Sequence, residues 1–113
     1  MKITFENKKL QKLVEDYSKL QKKYGQARAK LIVRRLGDLK DVNNLEEARH
    51  IPGKCHELRE NRKGQWAIAL DGPWRLIFTP HNDPIPQNEH GQYIWIEIES
   101  IEVMEIVDYH KKG

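Results

Sequence analysis

The chain has a single cysteine, Cys55, among its 113 residues. One thiol cannot form a disulfide within the chain or supply a thiolate zinc site alone, and a lone cysteine is typical of reducing compartments. No run of about 20 apolar residues, the length that a membrane-spanning helix needs, occurs anywhere in the sequence. The first residues also lack the apolar stretch of a signal peptide. We therefore expect a cytoplasmic protein with no membrane partner.

Acidic residues are scarce in the first part of the chain and basic residues are scarce in the last part, although the net charge is only +3. Residues 1–40 carry twelve Lys/Arg against four Asp/Glu, whereas residues 76–113 carry two against seven. A basic half favours a polyanion or an acidic partner. The alternative is that these lysines form the solvated face of amphipathic helices, and composition does not decide between the two.

The first half of the chain shows helical periodicity. Residues 2–5 predict a short strand. One amphipathic helix that ends at Gly25 is predicted next, because apolar residues recur at helical spacing, namely Leu10, Leu13, Val14, Tyr17 and Leu20. A second helix is predicted over residues 27–36, weakened by Gly37. The two helices form a hairpin. A short helical turn over residues 44–49 follows from the capping pattern that begins at Asn44.

After Pro52-Gly53 the apolar period changes to two, which predicts strands. Alternating residues on either side of Asp71-Gly72 indicate a β-hairpin that places both tryptophans and Phe78 on one face and Arg75 on the other. A surface loop is expected over residues 80–92, and strands over residues 93–98 and 101–107. The order predicts one α+β domain over residues 1–113, with a helical hairpin packed on one face of a mainly antiparallel sheet.

Two histidines and an arginine are the candidates for chemistry on a phosphodiester. Metal-free RNA cleavage needs a base for the 2′-OH, a cation for the phosphoryl oxygens and an acid for the leaving oxygen. Histidine suits either proton-transfer role, so His56 and His110 are candidates. The planar fork of Arg75 matches phosphate oxygens and keeps its charge. Tyr109 is placed to stack on a base or to bond a phosphate, and flanking phosphates are assigned to Arg59, Arg62 and Lys63.

Each candidate also has a structural interpretation. Arg75 is equally able to pair with Glu97 or Glu99 across the sheet. In an extended strand Asp108 and His110 share a face, and Tyr109 points away. A metal site from His56, Asp108 and His110 is conceivable, but the spacing matches no specific metal motif.

Four segments, in their order along the chain, resemble the HigB branch of the RelE/ParE toxin superfamily. They are HELR at 56–59, NRKGQWAI at 61–68, WRLIF at 74–78 and EIVDYH at 105–110. That branch typically shows a histidine with LKGxRKGQWSI, a WRI-F strand and a closing DYH. Two departures stand out. Arg59-Glu60 replaces the usual Lys-Gly, which adds an acid beside the phosphate path, and the loop over residues 80–92 is longer.

The resemblance implies a RelE-like fold and the toxin of a type II toxin–antitoxin system. Such toxins enter the ribosomal A site and cleave mRNA there, with neither metal nor cofactor. They are held inactive by a helix-turn-helix antitoxin (HigA-like). Operator DNA is an expected partner only through this antitoxin. The positions that the resemblance assigns to catalysis are His56, Arg75, Asp108, Tyr109 and His110. Contacts to RNA or the ribosome are assigned to Arg59, Arg62, Lys63, Lys111 and Lys112.

Two other functions stay open. ParE-type relatives poison DNA gyrase and need no catalytic imidazole, although the presence of both His56 and a closing Asp-Tyr-His argues against that function. The second alternative is a degenerate toxin that acts only as a binding or regulatory partner, because Glu60 and the longer loop are both changes that could abolish the activity.

Overall fold

The structure, a computed structural model, describes residues 1–109, so the predictions for His110, Lys111 and Lys112 lie outside the described residues. Within residues 1–109 the chain forms four α-helices and a five-stranded, mostly antiparallel open sheet. The predicted α+β class is confirmed. None of the helices in this range combines the length and apolar character needed to cross a bilayer.

The predicted single helix up to Gly25 is wrong, because two helices take its place. They are α1, Lys8–Glu15, and α2, Tyr17–Tyr24. Between them Asp16 has an extended backbone, with φ −114° and ψ 96°, and its side chain accepts a hydrogen bond of 3.2 Å from the Lys19 amide. Aspartate favours such a cap over a helix interior. The break also turns Tyr17 outward, with 41% of the residue exposed.

The second predicted helix is longer than expected. Helix α3, Gln26–Asp41, continues through Gly37, where the sequence predicted weakening. A helical glycine costs about 1 kcal/mol relative to alanine, and the complete burial of Leu39 beyond it offsets that cost. The predicted turn near residue 44 is confirmed as α4, Leu45–Ala48, whose cap Asn44 accepts a hydrogen bond from the Glu47 amide at 3.0 Å.

The sheet contains five strands in the order β1-β5-β4-β3-β2. Their bounds are β1, Lys2–Phe5; β2, His56–Glu57; β3, Trp66–Ala69; β4, Trp74–Pro80; and β5, Ser100–Asp108. Only the β1–β5 pair is parallel within this part of the chain. The predicted hairpin is confirmed as β3–β4, in which Trp66 lies opposite Phe78 and Ala69 lies opposite Arg75.

The helices pack on one face of the sheet, which we call the inner face. The side chains of β3, β4 and β5 that are fully buried on this face pack against Leu20, Ile32 and Leu39 of the helices. These strand residues are Trp66, Ile68, Leu76, Phe78, Ile101 and Val103. The opposite, outer face carries a smaller apolar cluster of Ala67, Ile77 and Val107, with Leu58, Met104 and Tyr109 packed against it. These three central side chains are buried, and no described helix contributes to the cluster, which we call the apolar floor of the outer face.

The predicted strand over residues 93–98 is wrong. Trp95–Glu97 forms a short 3₁₀ helix, which leaves Ile96 64% exposed. The segment is tied to α4 and not to a neighbouring strand, because the Ile98 carbonyl accepts a hydrogen bond of 2.9 Å from the Leu45 amide. Alternating isoleucines satisfied the strand pattern, but only Ile98 of the three is buried.

Candidate functional site

A cluster of charged and aromatic side chains lies on the outer face near the end of β5. We call it the outer-face cluster, and its members are Arg62, Arg75, Glu105 and Tyr109. Arg75 points to this face, as its position in β4 predicted. Its Nη1 donates to the carbonyls of Gly72 and Trp74, each at 2.8 Å. Its Cζ lies 5.6 Å from the centroid of the Tyr109 ring. Two carbonyls and an aromatic face thus hold the guanidinium in place.

Arg62 approaches the same ring from the connection between β2 and β3. Its Cζ lies 6.0 Å from the Tyr109 centroid. Its Nη1 donates to Gln65 Oε1 at 2.8 Å and to Glu105 Oε2 at 3.1 Å. The ring of Tyr109 therefore lies beside two guanidinium groups that come from different parts of the chain.

The two arginines differ in how their charge is compensated. Arg62 forms an ion pair with Glu105, whereas the ion pairs among residues 1–109 do not include Arg75. The alternative pairing of Arg75 with Glu97 or Glu99 is thus not formed in the structure. A fixed guanidinium whose partners are carbonyls and a ring keeps its positive charge available to an anion.

His56 reaches the outer face from the far edge of the sheet. It lies opposite Ala67, and Arg75 lies opposite Ala69, so two strand spacings and two residues separate them. With strands about 4.8 Å apart and a rise of about 3.4 Å per residue, their Cα atoms are roughly 12 Å apart. The apolar floor that includes Ile77 lies between them. The structure does not bring His56 into the outer-face cluster.

The tautomer of His56 follows from its hydrogen bond to the backbone. The ring Nδ1 lies 2.7 Å from the Lys54 carbonyl, and the residue is exposed. A carbonyl only accepts, so Nδ1 carries the hydrogen and Nε2 is left with its lone pair in the neutral ring. Nε2 is therefore the atom able to take a proton from a substrate, or to return one once the ring is charged.

Asp108 and Tyr109 lie on opposite faces, as the alternation predicted. Asp108 is opposite Trp74, whose side chain packs in the inner-face core, and cross-strand partners share a face. Tyr109 follows the end of β5, and its amide donates to the Pro73 carbonyl at 3.0 Å. The structure therefore places Tyr109, and not Asp108, in the outer-face cluster. His110 lies outside the described residues.

The predicted phosphate-binding residues lie in one connection, which joins β2 to β3. Arg59 and Lys63 are exposed, and Arg62 turns toward the outer-face cluster. Glu60, which stands where the resemblance expects glycine, has a φ of 60°. That left-handed conformation is one that glycine adopts at no steric cost. The backbone at Glu60 thus has a conformation that favours glycine, and the side chain places an acid there. Lys111 and Lys112 are beyond the part of the chain that the structure describes.

Sequence reasoning missed Gln65 and Glu105, which fix Arg62. Gln65 was detectable in principle, since it follows Arg62 by three residues in a tight turn. Glu105 gave no signal, because its contact with Arg62 joins positions 43 apart in sequence. Among residues 1–109 no three His, Cys, Asp or Glu side chains are grouped so that they could hold a metal ion.

The chain matches no protein-family model and no curated protein. The outer-face cluster and the sequence motifs that supply it are therefore the basis for assigning a function.

Proposed function

We propose that this chain is the toxin of a type II toxin–antitoxin system, of the HigB branch and with a RelE-like fold. Its activity is metal-independent, ribosome-dependent endonucleolytic cleavage of mRNA. The observation that carries the proposal is Arg75, a guanidinium held by two carbonyls and the Tyr109 ring, without an ion pair among the described residues. It lies on the outer face beside the apolar floor, a cluster to which no described helix contributes.

The chemistry begins with removal of the proton of a ribose 2′-OH by a base. The oxygen attacks the adjacent phosphorus, and the bond to the 5′-oxygen breaks as that oxygen receives a proton from an acid. The products are a cyclic 2′,3′-phosphate and a 5′-hydroxyl. In the pentacoordinate transition state the phosphoryl oxygens gain charge, and Arg75 stabilises that charge from a preorganised position.

His56 and His110 are proposed for the two proton transfers. The Nδ1 of His56 is committed to the Lys54 carbonyl, so the transfer takes place at Nε2. Because about 12 Å of sheet separates the backbones of His56 and Arg75, the RNA must lie across the apolar floor for both to act on one phosphate. Tyr109 stacks on a base or bonds a phosphate at the Arg75 end, whereas Asp108 lies on the opposite face of the sheet and does not contact that phosphate.

The ribosome supplies the remaining orientation. A substrate held in the A site reaches the outer face in one pose, and such positioning contributes several kcal/mol to catalysis. The free protein is accordingly proposed to be a poor nuclease. A helix-turn-helix antitoxin is the proposed inhibitor, and operator DNA is reached only through it.

Mapping of mRNA ends after induced expression tests the proposal. We expect new 5′ ends inside translated codons within minutes, and none in the same transcript when its start codon is removed. Arg75→Ala should abolish these ends. The matched control is Arg34→Ala, which removes an exposed arginine of α3. Intact mRNA together with DNA breaks would identify a gyrase poison, and intact mRNA without DNA breaks would identify a degenerate toxin.

A further inference from the structure

Two clefts meet at the β2 edge of the sheet, away from the outer-face cluster. The first, of about 630 Å³, is lined by His56 and Arg59 on one side and by Arg49 and Trp95 on the other. The second, of about 910 Å³, lies beneath the loop over residues 87–96 and includes Lys63. Both are lined by Glu57 and Trp95, so the two clefts are neighbours that share a wall, and we call the pair the edge groove.

Arg49 is fixed in the edge groove by the Trp95 ring and by an ion pair with Glu46, so it offers the face of its guanidinium and not an uncompensated charge. Its Cζ lies 4.4 Å from the centroid of the Trp95 ring, and its Nη1 contacts Glu46 Oε2 at 3.1 Å. The side chain keeps 40% of its surface exposed. An arginine held against an indole presents the outer side of its plane, which is a surface on which a nucleobase stacks.

The remaining lining combines cations with aromatic rings. Arg59 and Lys63 are exposed cations of the β2–β3 connection, and Tyr93 adds a second half-buried ring to Trp95. Cations that follow a backbone, with rings beside them, are the pattern of single-strand nucleic-acid binding. Glu57 sits between the two clefts, where a carboxylate accepts hydrogen bonds from base amino groups.

The tryptophans of the groove also contain unused hydrogen-bond donors. The indole N–H groups of Trp66 and Trp95 are buried and have no acceptor among the described residues. The two rings meet edge to face, with centroids 5.5 Å apart. A buried donor without a partner is unfavourable, and base carbonyl and phosphate oxygens are acceptors that would satisfy it after a small opening of the ring pair.

We infer that the edge groove is a binding site for single-stranded RNA, which the protein holds without the ribosome. The choice of RNA as occupant rests on the proposed function. The β2–β3 connection joins the two regions, because Arg62 turns to the outer-face cluster while Lys63 lines the groove. RNA that crosses the outer face therefore continues around this connection, and the groove holds the nucleotides that flank the cleaved phosphodiester.

Binding of a labelled single-stranded hexanucleotide with 2′-O-methyl riboses tests this inference without ribosomes. The probe has no nucleophilic 2′-OH, so binding is measured apart from cleavage. We expect anisotropy to report saturable binding by the wild-type protein. Arg49→Gln combined with Arg59→Gln should raise the dissociation constant at least about tenfold, because the variant loses the guanidinium on which a base stacks and a cation that contacts the RNA backbone. The probe should also quench tryptophan fluorescence, and less so in Trp95→Phe.

The matched control is Lys30→Gln combined with Arg34→Gln, which removes two exposed cations of α3. That pair should change the dissociation constant less than about threefold, the size of a nonspecific charge effect. Equal losses in both double variants, or no binding by the wild type, would overturn the groove even if mRNA cleavage on ribosomes is found. Tighter, Arg49-dependent binding of an acidic peptide of equal charge would show that the occupant is a protein segment, which also overturns the inference.

Discussion

Arg75 and Tyr109 meet across the β4–β5 pair, with the guanidinium carbon 5.6 Å from the ring centroid. The register of the pair explains the contact, because Arg75 lies opposite Val107 and Tyr109 is the next residue on that face. The amide of Tyr109 is in turn fixed to the Pro73 carbonyl. The position of the ring on the cation is therefore set by the backbone of both strands.

Removal of Arg75 separates transition-state stabilisation from binding. We expect Arg75→Ala to lower the single-turnover rate on programmed ribosomes by at least about a hundredfold, the scale seen for loss of an oxyanion donor. Arg62→Ala combined with Lys63→Ala should need more protein for half-saturation but reach a similar rate at saturation. An Arg75→Ala rate within a few fold of wild type would leave the two histidines as the whole of the site.

The prediction for His110 rests on the sequence motif alone. His110→Ala should relieve growth inhibition at equal expression, while the free energy of unfolding changes by less than about 1 kcal/mol, as for most surface changes. Toxicity is scored by colony counts after induction, and folding by thermal denaturation. Full toxicity of the variant would remove the proton-transfer role from this residue.

Truncation of Phe78 tests the inner-face core. The residue is fully buried and stacks on Trp66 with ring centroids 6.2 Å apart. Phe78→Ala should lower the free energy of unfolding by roughly 3–5 kcal/mol, since it removes buried contacts and leaves a cavity. The control is Ile96→Ala, at a position that is 64% exposed, where we expect a change within about 0.5 kcal/mol. Urea denaturation measures both, and similar midpoints for the two variants would contradict the assigned faces.

The Arg28–Asp71 pair gives stability a pH dependence. Arg28 contacts both carboxylate oxygens of Asp71, at 2.8 and 3.0 Å, and holds the pKa of that carboxyl below its ordinary value. A lowered pKa stabilises the folded state above the pKa of the unfolded chain, and this stabilisation is lost as pH falls through the folded pKa. Because the pair is partly exposed, its contribution is about 1 kcal/mol or less.

The measurement is the difference in unfolding free energy between the wild type and Asp71→Asn as a function of pH. It should be constant above about pH 5 and decline below about pH 4, where the carboxylate of the unfolded chain takes up its proton. A difference that stays flat down to about pH 2 would contradict the role of this pair.

Cys55 should report opening of the core. It is only 5% exposed, and burial raises the pKa of its thiol to about 12, opposed by the charge of Arg49. The reactive species is the thiolate, so a disulfide reagent at about pH 8 should label the folded protein far more slowly than free cysteine. The labelling rate should rise with urea in parallel with unfolding. Rapid, stoichiometric labelling of the folded protein would show that the thiol is accessible.

The sheet was predictable where its periodicity coincides with burial. The alternation in β3 and β4 predicted the hairpin and the outward position of Arg75, because both strands pack one face on the helices. The break at Asp16 and the extension of α3 past Gly37 were not predictable. In the first case a side-chain cap outweighed apolar spacing, and in the second the distant packing of Leu39 outweighed helix propensity.

The candidate site was predictable in residue type but not in arrangement. Motifs named Arg62, Arg75 and Tyr109, and the structure brings these three together. The separation of His56 depends on the strand order, which no local pattern encodes. Glu105 and the edge groove likewise depend on contacts between segments far apart in sequence.

The position of β5 has a consequence for how the protein is made. It lies between β1 and β4, yet it is the last of the five strands to be synthesised. While it is still inside the exit tunnel, β1 has no neighbour and the β3–β4 hairpin has one open edge, so the sheet cannot close. The apolar floor of the outer face is also incomplete without β5, because β5 contributes Val107 to the floor. The outer-face cluster therefore cannot assemble until β5 has left the exit tunnel, and by then the segments that form the other strands and the helices are already outside.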